Sequence, residues 1–259
     1  MLLENKNVVI YGAGGAIGHG VAMTFAREGA RVFLTGRSRE TLDGLADAIT
    51  AAGGSAEVAV VDALDEQAVD EHACSVAADG GIDVSFNVVS RGDVQGIALA
   101  DMTVPDFTRA VTTGLTANFI TARAAARHMV ERGSGVILAL NSGSAHGSAM
   151  MGSTGPADAA TDTFIRNLAV ELGPHGVRVL GLWVAGIPET LSPEKLAAVD
   201  SNLQLDDAAF QGLLGHLDSL RLLRRSPGLD EVANAAAFLV SDRTSLTGTF
   251  INATGMFPS

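Results

Sequence analysis

The stretch VVIYGAGGAIG, residues 8–18, decides the fold of this chain. A short apolar run ends in closely spaced glycines, and residues 21–27 continue with helical character, so the pattern predicts a strand, a tight turn and a helix. Such a turn brings backbone N–H groups close to a pyrophosphate, whose charge the helix N-terminus favours. We therefore predict a phosphate-binding turn, against the alternative of a purely structural one. The predicted contacts are Gly12, Gly14, Gly15, Ile17 and Gly18.

Short apolar runs recur along the chain and are separated by stretches of helical character. This alternation predicts an α/β fold, a Rossmann-type doubly wound parallel sheet of about seven strands with helices on both faces. We expect residues 1–259 to form a single domain, because the chain can bury one large core. The predicted strands are Val8–Ile10, Arg31–Leu34, Ala56–Val61, Val84–Val89, Val136–Leu140, Val177–Trp183 and Thr249–Asn252.

The segment 188–227, called the lid segment below, interrupts this alternation. It carries leucine, alanine and acidic residues at helical spacing, follows a predicted strand, and is too long for an ordinary connection. We interpret it as a helical lid over a substrate site. A packing or oligomerisation subdomain is the alternative.

The composition argues against several classes of function. A formal net charge of −12 disfavours nucleic-acid and anionic-membrane surfaces, which need clustered lysine and arginine. No apolar run reaches the roughly 18 residues of a membrane span, and no signal segment stands at the N-terminus, so we expect a soluble, cytoplasmic protein. The single cysteine, Cys74, lacks metal-ligand company, and we predict no metal site.

Taken in order, the motifs make the chain resemble the short-chain dehydrogenase/reductase family over nearly its whole length. The turn Gly12-x-x-x-Ala16-Ile17-Gly18 is similar to the family's Thr-Gly-x-x-x-Gly-Ile-Gly turn, and residues 135–142 resemble the strand that ends in its catalytic serine. Further similar stretches are residues 168–172, 176–179 and 227–233. The resemblance implies a dinucleotide cofactor that is also held by Asp62, Asn87 and Ile187.

The end of the second predicted strand bears on which dinucleotide binds. In this fold a carboxylate there binds the ribose 2′-hydroxyl of NAD, whereas a basic residue accommodates the 2′-phosphate of NADP. Gly36 stands where the acid would be, and Arg37, whose planar fork suits phosphate, comes next. We therefore predict NADP(H) in preference to NAD(H). The alternative is that Arg37 only begins a solvated helix.

The family's proton-transfer residues are missing from this sequence. By resemblance, its tyrosine falls on Thr154, its lysine on Asp158 and its asparagine on Gly114, while its serine is retained as Ser142. A shift of one residue restores nothing, because Tyr11 is the only tyrosine and no lysine lies between positions 6 and 195. The loss of a general acid/base typically lowers a rate by about 10²- to 10⁴-fold. We expect ordinary carbonyl reduction to be severely impaired.

Another polar set lies near the same place. His146 is the only conventional base between Ser142 and Thr154, and Asp158 lies one turn into the following helix. Ser142, His146 and Asp158 are a hypothetical acid–base set for dehydration, isomerisation or cyclisation without hydride transfer. Asp162, one turn further on, is expected to be a solvated or interface carboxylate.

Three functions stay open at this point. The first is an atypical NADP(H)-linked oxidoreductase that acts on a small-molecule substrate with unusual proton delivery. The others are the non-redox enzyme just described and a catalytically silent subunit or binding protein, and fold alone does not choose among the three. The resemblance also implies a homo-oligomer, a dimer or tetramer, through helices at residues 115–129 and 157–172 that are rich in small side chains.

Overall fold

A seven-stranded parallel sheet forms the centre of the protein, with strand order β3-β2-β1-β4-β5-β6-β7. The structure, a computed structural model, describes residues 1–147, 149–200 and 202–255. The doubly wound sheet predicted from the apolar runs is confirmed. The strands are β1 (Asn7–Tyr11), β2 (Arg31–Gly36), β3 (Ser55–Val60), β4 (Val84–Asn87), β5 (Gly135–Asn141), β6 (Val177–Trp183) and β7 (Phe250–Asn252).

Helices cover both faces of this sheet. Apolar side chains of α1, α2 and α8 pack on one face, and those of α3, α4 and α5 pack on the other. In the described part of the chain, no helix is both long enough and apolar enough to cross a bilayer. The helices are α1 (Ala16–Arg27), α2 (Arg39–Ala51), α3 (Glu66–Ala78), α4 (Val104–Arg132), α5 (Thr154–Leu172), α6 (Pro193–Val199), α7 (Asp207–Ser219) and α8 (Leu229–Val240).

Strand β1 shows why the apolar runs become strands. Successive side chains of a strand point to opposite faces, so Val8 and Ile10 join the core on the α1 side while Val9 and Tyr11 join the core on the α3 side. Both faces of the strand are therefore buried. A strand buried on both faces gives a continuous apolar run rather than an alternating one.

Strand β4 is shorter than the sequence predicts. The prediction extends it to Val89, but the strand ends at Asn87. There the side-chain Oδ1 of Asn87 accepts a hydrogen bond from the backbone N–H of Val89 at 3.0 Å. This local bond turns the chain away from the sheet, as asparagine commonly does.

The lid segment contains a 3₁₀ turn at Pro188–Thr190 and the helices α6 and α7, as its helical spacing predicts. Its base is held by Arg221, whose fully buried guanidinium donates to the carbonyls of Ala185, Gly186 and Thr254. A second connection lies at the end of α6. The backbone N–H of Gln95, in the loop after β4, donates to the carbonyl of Val199 at 3.0 Å.

Candidate active site at the carboxyl edge of the sheet

A cleft of about 730 Å³ opens where the strands β1 to β6 end. Because the strands are parallel, the residues that follow each of them meet at one edge of the sheet. The cleft is lined by residues predicted at this edge and by several that were not. The predicted ones are Gly12, Gly14, Gly15, Ile17, Gly18, Arg37, Asp62, Asn87 and Ser142.

The glycine-rich turn is packed too closely for other side chains at two of its positions. Gly12 has a φ of +87°, and a Cβ there would lie 3.0 Å from the backbone of Val88. A Cβ on Gly18 would lie 2.4 Å from the carbonyl oxygen of Gly12. Gly15 is the N-cap of α1 and has no side chain to cover the first N–H groups of that helix. The turn therefore presents backbone donors and the positive end of a helix to the cleft.

The cleft extends from this turn across the ends of β2 and β3. Arg37 is exposed at its edge, and Ser38 caps α2 by accepting a hydrogen bond from the N–H of Thr41 at 3.4 Å. Asp62 follows β3, and its Oδ1 accepts from the N–H of Leu64 at 3.0 Å. The side chain of Ile187, by contrast, is buried in the core beside the cleft.

At the other end of the cleft Ser142 is bonded to Asp158. The Ser142 hydroxyl donates to Oδ2 of Asp158 at 2.7 Å, and the same oxygen accepts the backbone N–H groups of Ser142 and Ser144 at 3.1 and 2.9 Å. The hydroxyl of Ser144 lies 2.8 Å from that of Ser142. Since the Ser142 proton points to Asp158, the Ser144 hydroxyl is the donor in this last bond. Asp158 itself is fully buried.

Arg91 joins this carboxylate to a second one. Its Nη1 donates to Asp158 at 2.7 Å, while Nη2 and Nε donate to Asp93 at 3.0 and 3.3 Å. Burial disfavours the charged guanidinium, but the two carboxylates outweigh it and the pKa of Arg91 is raised. A Cβ on Gly114 would lie 2.5 Å from the Arg91 side chain. The glycine at the family's asparagine position therefore leaves room for Arg91.

Thr154, the first residue of α5, completes the arrangement. Its hydroxyl donates to Asp93 at 2.8 Å and accepts from the side-chain amide of Gln95 at 3.2 Å. One guanidinium and two carboxylates thus stand around the positions where the resemblance places a tyrosine and a lysine. We call Arg91, Asp93, Ser142, Thr154 and Asp158 the ionic cluster; if all its charged groups are ionised, it carries one net negative charge.

Comparisons with known proteins agree with this architecture. A family model described as Enoyl-(Acyl carrier protein) reductase matches residues 12–255. The chain belongs to the short-chain dehydrogenase/reductase family. It is 32% identical to the L-rhamnose 1-dehydrogenase (NAD(P)(+)) of Azotobacter vinelandii (strain DJ / ATCC BAA-1303) over 227 residues, which cover 85% of this chain and 88% of that protein.

Solved structures of this oxidoreductase family superpose over nearly the whole chain. The crystal structure of a short-chain type dehydrogenase/reductase from Mycobacterium marinum is 29% identical, with a TM-score of 0.82 and coverage of 98% of this chain and 95% of that one. An NAD⁺-bound xylitol dehydrogenase is 25% identical, with a TM-score of 0.84 and coverage of 98% and 100%. The names of these relatives include both NAD(P)⁺ and NAD⁺.

The only tyrosine is not placed to act as the family's proton donor. Tyr11 is 1% exposed, and its ring packs edge-on against His72 of α3 with the ring centres 6.4 Å apart. Burial, together with the nearby charge of Asp70, raises the pKa of Tyr11 well above its ordinary value. The phenol is therefore a neutral group in the core. Tyr11 stands at the end of β1, before the glycine-rich turn, because its ring packs there.

The structure does not bring His146 into the ionic cluster. The His146 side chain is exposed, and its ring lies edge-on to Trp183 with a centre-to-centre distance of 5.1 Å. Within residues 1–147, 149–200 and 202–255, no hydrogen bond links His146 to Ser142 or Asp158. Of the hypothetical acid–base set, Ser142 and Asp158 meet and His146 stands apart.

The expectation that Asp162 is a solvated or interface carboxylate is wrong, because the side chain is buried within the single chain. Asp162 is 5% exposed, and its Oδ1 accepts a hydrogen bond from Asn141 at 2.6 Å. Asn141 also donates to the backbone carbonyl of Asp158 at 3.0 Å, which ties the end of β5 to α5. Burial raises the pKa of Asp162, against the opposing effect of the Asn141 hydrogen bond. Helical spacing alone did not reveal that this face of α5 packs against β5.

Several polar residues of the site were not predicted from the sequence, among them Arg91, Asp93, Asn118 and Lys195. Arg91 and Asp93 lie shortly after the end of β4, and this place in the sequence is the signal that marks them as site residues. Asn118 lines the cleft from α4 and donates to the carbonyl of Gly114 at 2.9 Å. Lys195 reaches the cleft from α6, and its ammonium donates to the carbonyl of Thr190 at 3.2 Å. Neither Asn118 nor Lys195 has a motif that marks it.

Proposed function

We propose that this family member is an NADP(H)-binding oxidoreductase with an atypical active site, in which the ionic cluster stands where its relatives have tyrosine and lysine. One observation carries the proposal: a single cleft joins the glycine-rich turn, Arg37 and Ser142. A dinucleotide needs phosphate-binding and ribose-binding groups at one end and reacting groups at the other. The cleft offers both.

The cofactor contacts follow from the cleft lining. The backbone of Gly12, Gly14, Gly15, Ile17 and Gly18 would hold the pyrophosphate, with Asp62 near the adenine and Asn87 toward the other half. The resemblance adds Ile187, whose side chain lies in the core beside the cleft. When bound, the nicotinamide supplies or accepts a hydride. Besides holding the nicotinamide, the chain must exclude water from the reacting atoms and transfer one proton.

Preference for NADP(H) rests on the end of β2. Gly36 provides no carboxylate that would repel a 2′-phosphate, and Arg37 provides an exposed guanidinium. The N-terminus of α2, capped by Ser38, also borders the cleft and favours an anion there. These groups support a phosphate on the adenosine ribose, even though relatives include NAD⁺-binding enzymes.

Ser142 and Asp158 are the pair that we propose for the proton. The Ser142 hydroxyl donates to Asp158 and keeps one lone pair for a substrate hydroxyl. In the oxidation of an alcohol, a bound nicotinamide would accept the hydride of the C–H bond, and the part of the chain would be to take up the O–H proton. The O–H proton passes to the Ser142 oxygen while that oxygen releases its own proton to Asp158, and a carbonyl forms. The reverse transfer serves reduction.

The lid segment is proposed to cover the small-molecule substrate. Thr190 and Lys195 of this segment line the same cleft as Ser142. The connection between Gln95 and Val199 brings the lid segment against the loop that carries Arg91 and Asp93. A closed cover excludes water from the reacting groups and strengthens their electrostatic interactions.

A silent, cofactor-binding subunit is the second candidate, and the state of Asp158 favours it. This buried carboxylate already accepts four hydrogen bonds, from Arg91, from the N–H and hydroxyl of Ser142, and from the N–H of Ser144. A carboxylate with this many hydrogen bonds stabilises the structure, and this structural role alone accounts for its presence without any part in proton transfer. Turnover of a reduced or oxidised cofactor by the purified chain distinguishes the two candidates.

Self-association is also part of the proposal. Helices α4 and α5 pack together and expose apolar side chains, with Phe119 46% exposed and Val170 78% exposed. Exposed apolar surface of this kind is typical of contact faces. We propose a dimer or tetramer through these helices. Sedimentation of a Phe119→Asp variant should show smaller assemblies than the parent chain, and an unchanged assembly would contradict this assignment of the interface.

The first experiment is a calorimetric and fluorescence titration with NADPH and NADH. NADPH should bind in the micromolar range, more tightly than NADH, and Arg37→Ala should remove most of that difference because the proposed partner of the guanidinium is the 2′-phosphate that NADH lacks. Arg39→Ala is the matched control, since Arg39 is exposed and pairs with Asp43 in the next turn. Equal affinity for both nucleotides would overturn the NADP(H) preference, and no binding of either would overturn the proposed function.

A further inference from the structure

Arg91 has donors that the protein itself does not use. A guanidinium carries five N–H groups. Nε and one N–H of Nη2 are bound to Asp93, and one N–H of Nη1 is bound to Asp158. In the described part of the chain, the remaining N–H of each terminal nitrogen has no partner. Arg91 also lines the cleft, so a ligand there can meet these donors.

The guanidinium is fixed in its position. Its side chain is only 14% exposed, Asp158 behind it is fully buried, and Asp93 is held in turn by the hydroxyl of Thr154. Two carboxylates on different edges of the planar group prevent its rotation. A charge held in this way binds a ligand without the entropy cost of ordering a flexible side chain.

The position of Arg91 in the sheet indicates what it meets. Strand β1 has β2 and β3 on one side and β4 to β7 on the other. A dinucleotide whose phosphates lie at the turn after β1 extends one nucleoside over β2 and β3, toward Arg37, and the other over β4 and β5. Arg91 follows β4 and lies on this second side.

We propose that Arg91 binds the ribose hydroxyl oxygens of the nucleoside that carries the nicotinamide, with Asp93 and Asp158 as the positioning residues that hold it. The inference rests on the proposed function, because it needs a dinucleotide in the cleft. The ionic cluster is then not a remnant of a lost site. Helix α5 has Thr154 and Asp158 at the positions where the resemblance places tyrosine and lysine, so it supplies no cation there. The ionic cluster supplies the cation from the loop after β4 instead.

The test compares two ligands, NADPH and adenosine 2′,5′-bisphosphate, which lacks the nicotinamide half. In the parent chain NADPH should bind more tightly than the bisphosphate. Arg91→Met should weaken NADPH about 10-fold or more, the effect of losing hydrogen bonds to a charged group, and leave bisphosphate affinity unchanged. Arg109→Met is the matched control, because Arg109 is an exposed arginine that also pairs with an aspartate, Asp106. It should change neither affinity.

Three outcomes overturn the inference. They are unchanged NADPH affinity in Arg91→Met, an equal loss for both ligands, and equal affinity of the parent chain for the two ligands. Equal affinity of the parent chain for the two ligands would contradict the role of Arg91 but not the proposed NADP(H) binding. Failure of both ligands to bind the parent chain would contradict both. Arg91→Lys serves if Arg91→Met does not fold. It keeps the charge but not the fork, so NADPH affinity should still fall while bisphosphate affinity does not.

Discussion

The two ends of the cleft are formed by different kinds of chemical group. The end that borders β1 to β3 is made of backbone N–H groups, two sterically required glycines at 12 and 18, and exposed side chains such as Arg37. The end that borders β4 and β5 is a set of buried, mutually bonded charges centred on Asp158. The proposed phosphate site thus depends on local chain geometry. The groups proposed for proton transfer depend on contacts between distant segments.

Removal of Asp158 should produce the largest effect. Asp158→Ala leaves Arg91 without one carboxylate and the N–H groups of Ser142 and Ser144 without an acceptor. Breaking a buried ion pair by removing one partner costs about 3–5 kcal/mol of unfolding free energy. Urea unfolding measures this loss directly.

The matching change at an exposed ion pair should cost far less. Asp43 pairs with Arg39 along the surface of α2 at 3.5 Å, and both side chains are more than half exposed. Asp43→Ala should change the unfolding free energy by less than about 1 kcal/mol. If the Asp158→Ala loss were as small as that of Asp43→Ala, the ionic cluster would not be the stabilising centre of its end of the cleft.

Addition of a methyl group at Gly18 should disrupt the end of the cleft that is formed by the glycine-rich turn. Gly18→Ala places a Cβ 2.4 Å from the Gly12 carbonyl oxygen, so the turn must shift, at a cost of about 1–3 kcal/mol in stability. NADPH affinity should fall about 10-fold or more with it, because the N–H groups move from their places. Calorimetry and thermal unfolding give the two values.

Gly15 provides the internal comparison within that turn. A Cβ at Gly15 would lie 3.4 Å from the carbonyl oxygen of Gly12, an ordinary contact, and its φ of −78° suits alanine. Gly15→Ala should leave stability within about 1 kcal/mol of the parent chain. Equal damage from Gly15→Ala and Gly18→Ala would show that close packing is not what fixes the turn.

The smallest expected effect concerns Asp162, at the edge of the ionic cluster. Its pKa is raised in the folded chain, so the neutral form is favoured there and folding loses stability as the pH rises above the unfolded-state pKa. Asp162→Asn cannot ionise and keeps an acceptor for Asn141. It should raise the melting temperature at pH 7, with a gain that shrinks as the pH is lowered toward about 4.

A melting temperature at pH 7 below that of the parent chain would show that the Asp162 charge is stabilising. Asp43→Asn serves as the control for a general reduction of negative charge. Because Asp43 is exposed, its replacement should shift the melting temperature little at any pH.

Most of the fold was accessible from the sequence. A parallel sheet covered on both faces requires continuous apolar strands, so runs such as Val8–Ile10 and Val177–Trp183 mark the strands directly. The strand ends then place Arg37, Asp62 and Ser142 at one edge. The end of β4 was misplaced because the capping bond of Asn87 competes with an apolar run that continues to Val89.

Only part of the ionic cluster could be predicted from the sequence. Ser142 and Asp158 could be placed from the order of motifs, but Arg91 contacts Asp158 across 67 positions of sequence, and no local pattern encodes that pair. The burial of Asp162 depends in the same way on how α5 sits on β5. Side-chain pairing between distant segments is set by tertiary packing, which periodicity does not report.

The bond between Gln95 and Val199 is made by main-chain atoms alone. Almost any residue can stand at either position and keep it, since every residue carries a carbonyl and only proline lacks the N–H. The side chains of the loop after β4 and of α6 can therefore change without breaking this bond. If the lid segment covers the substrate as proposed, substitutions of these side chains would alter the substrate range and keep this bond, whereas a proline at position 95 would remove it.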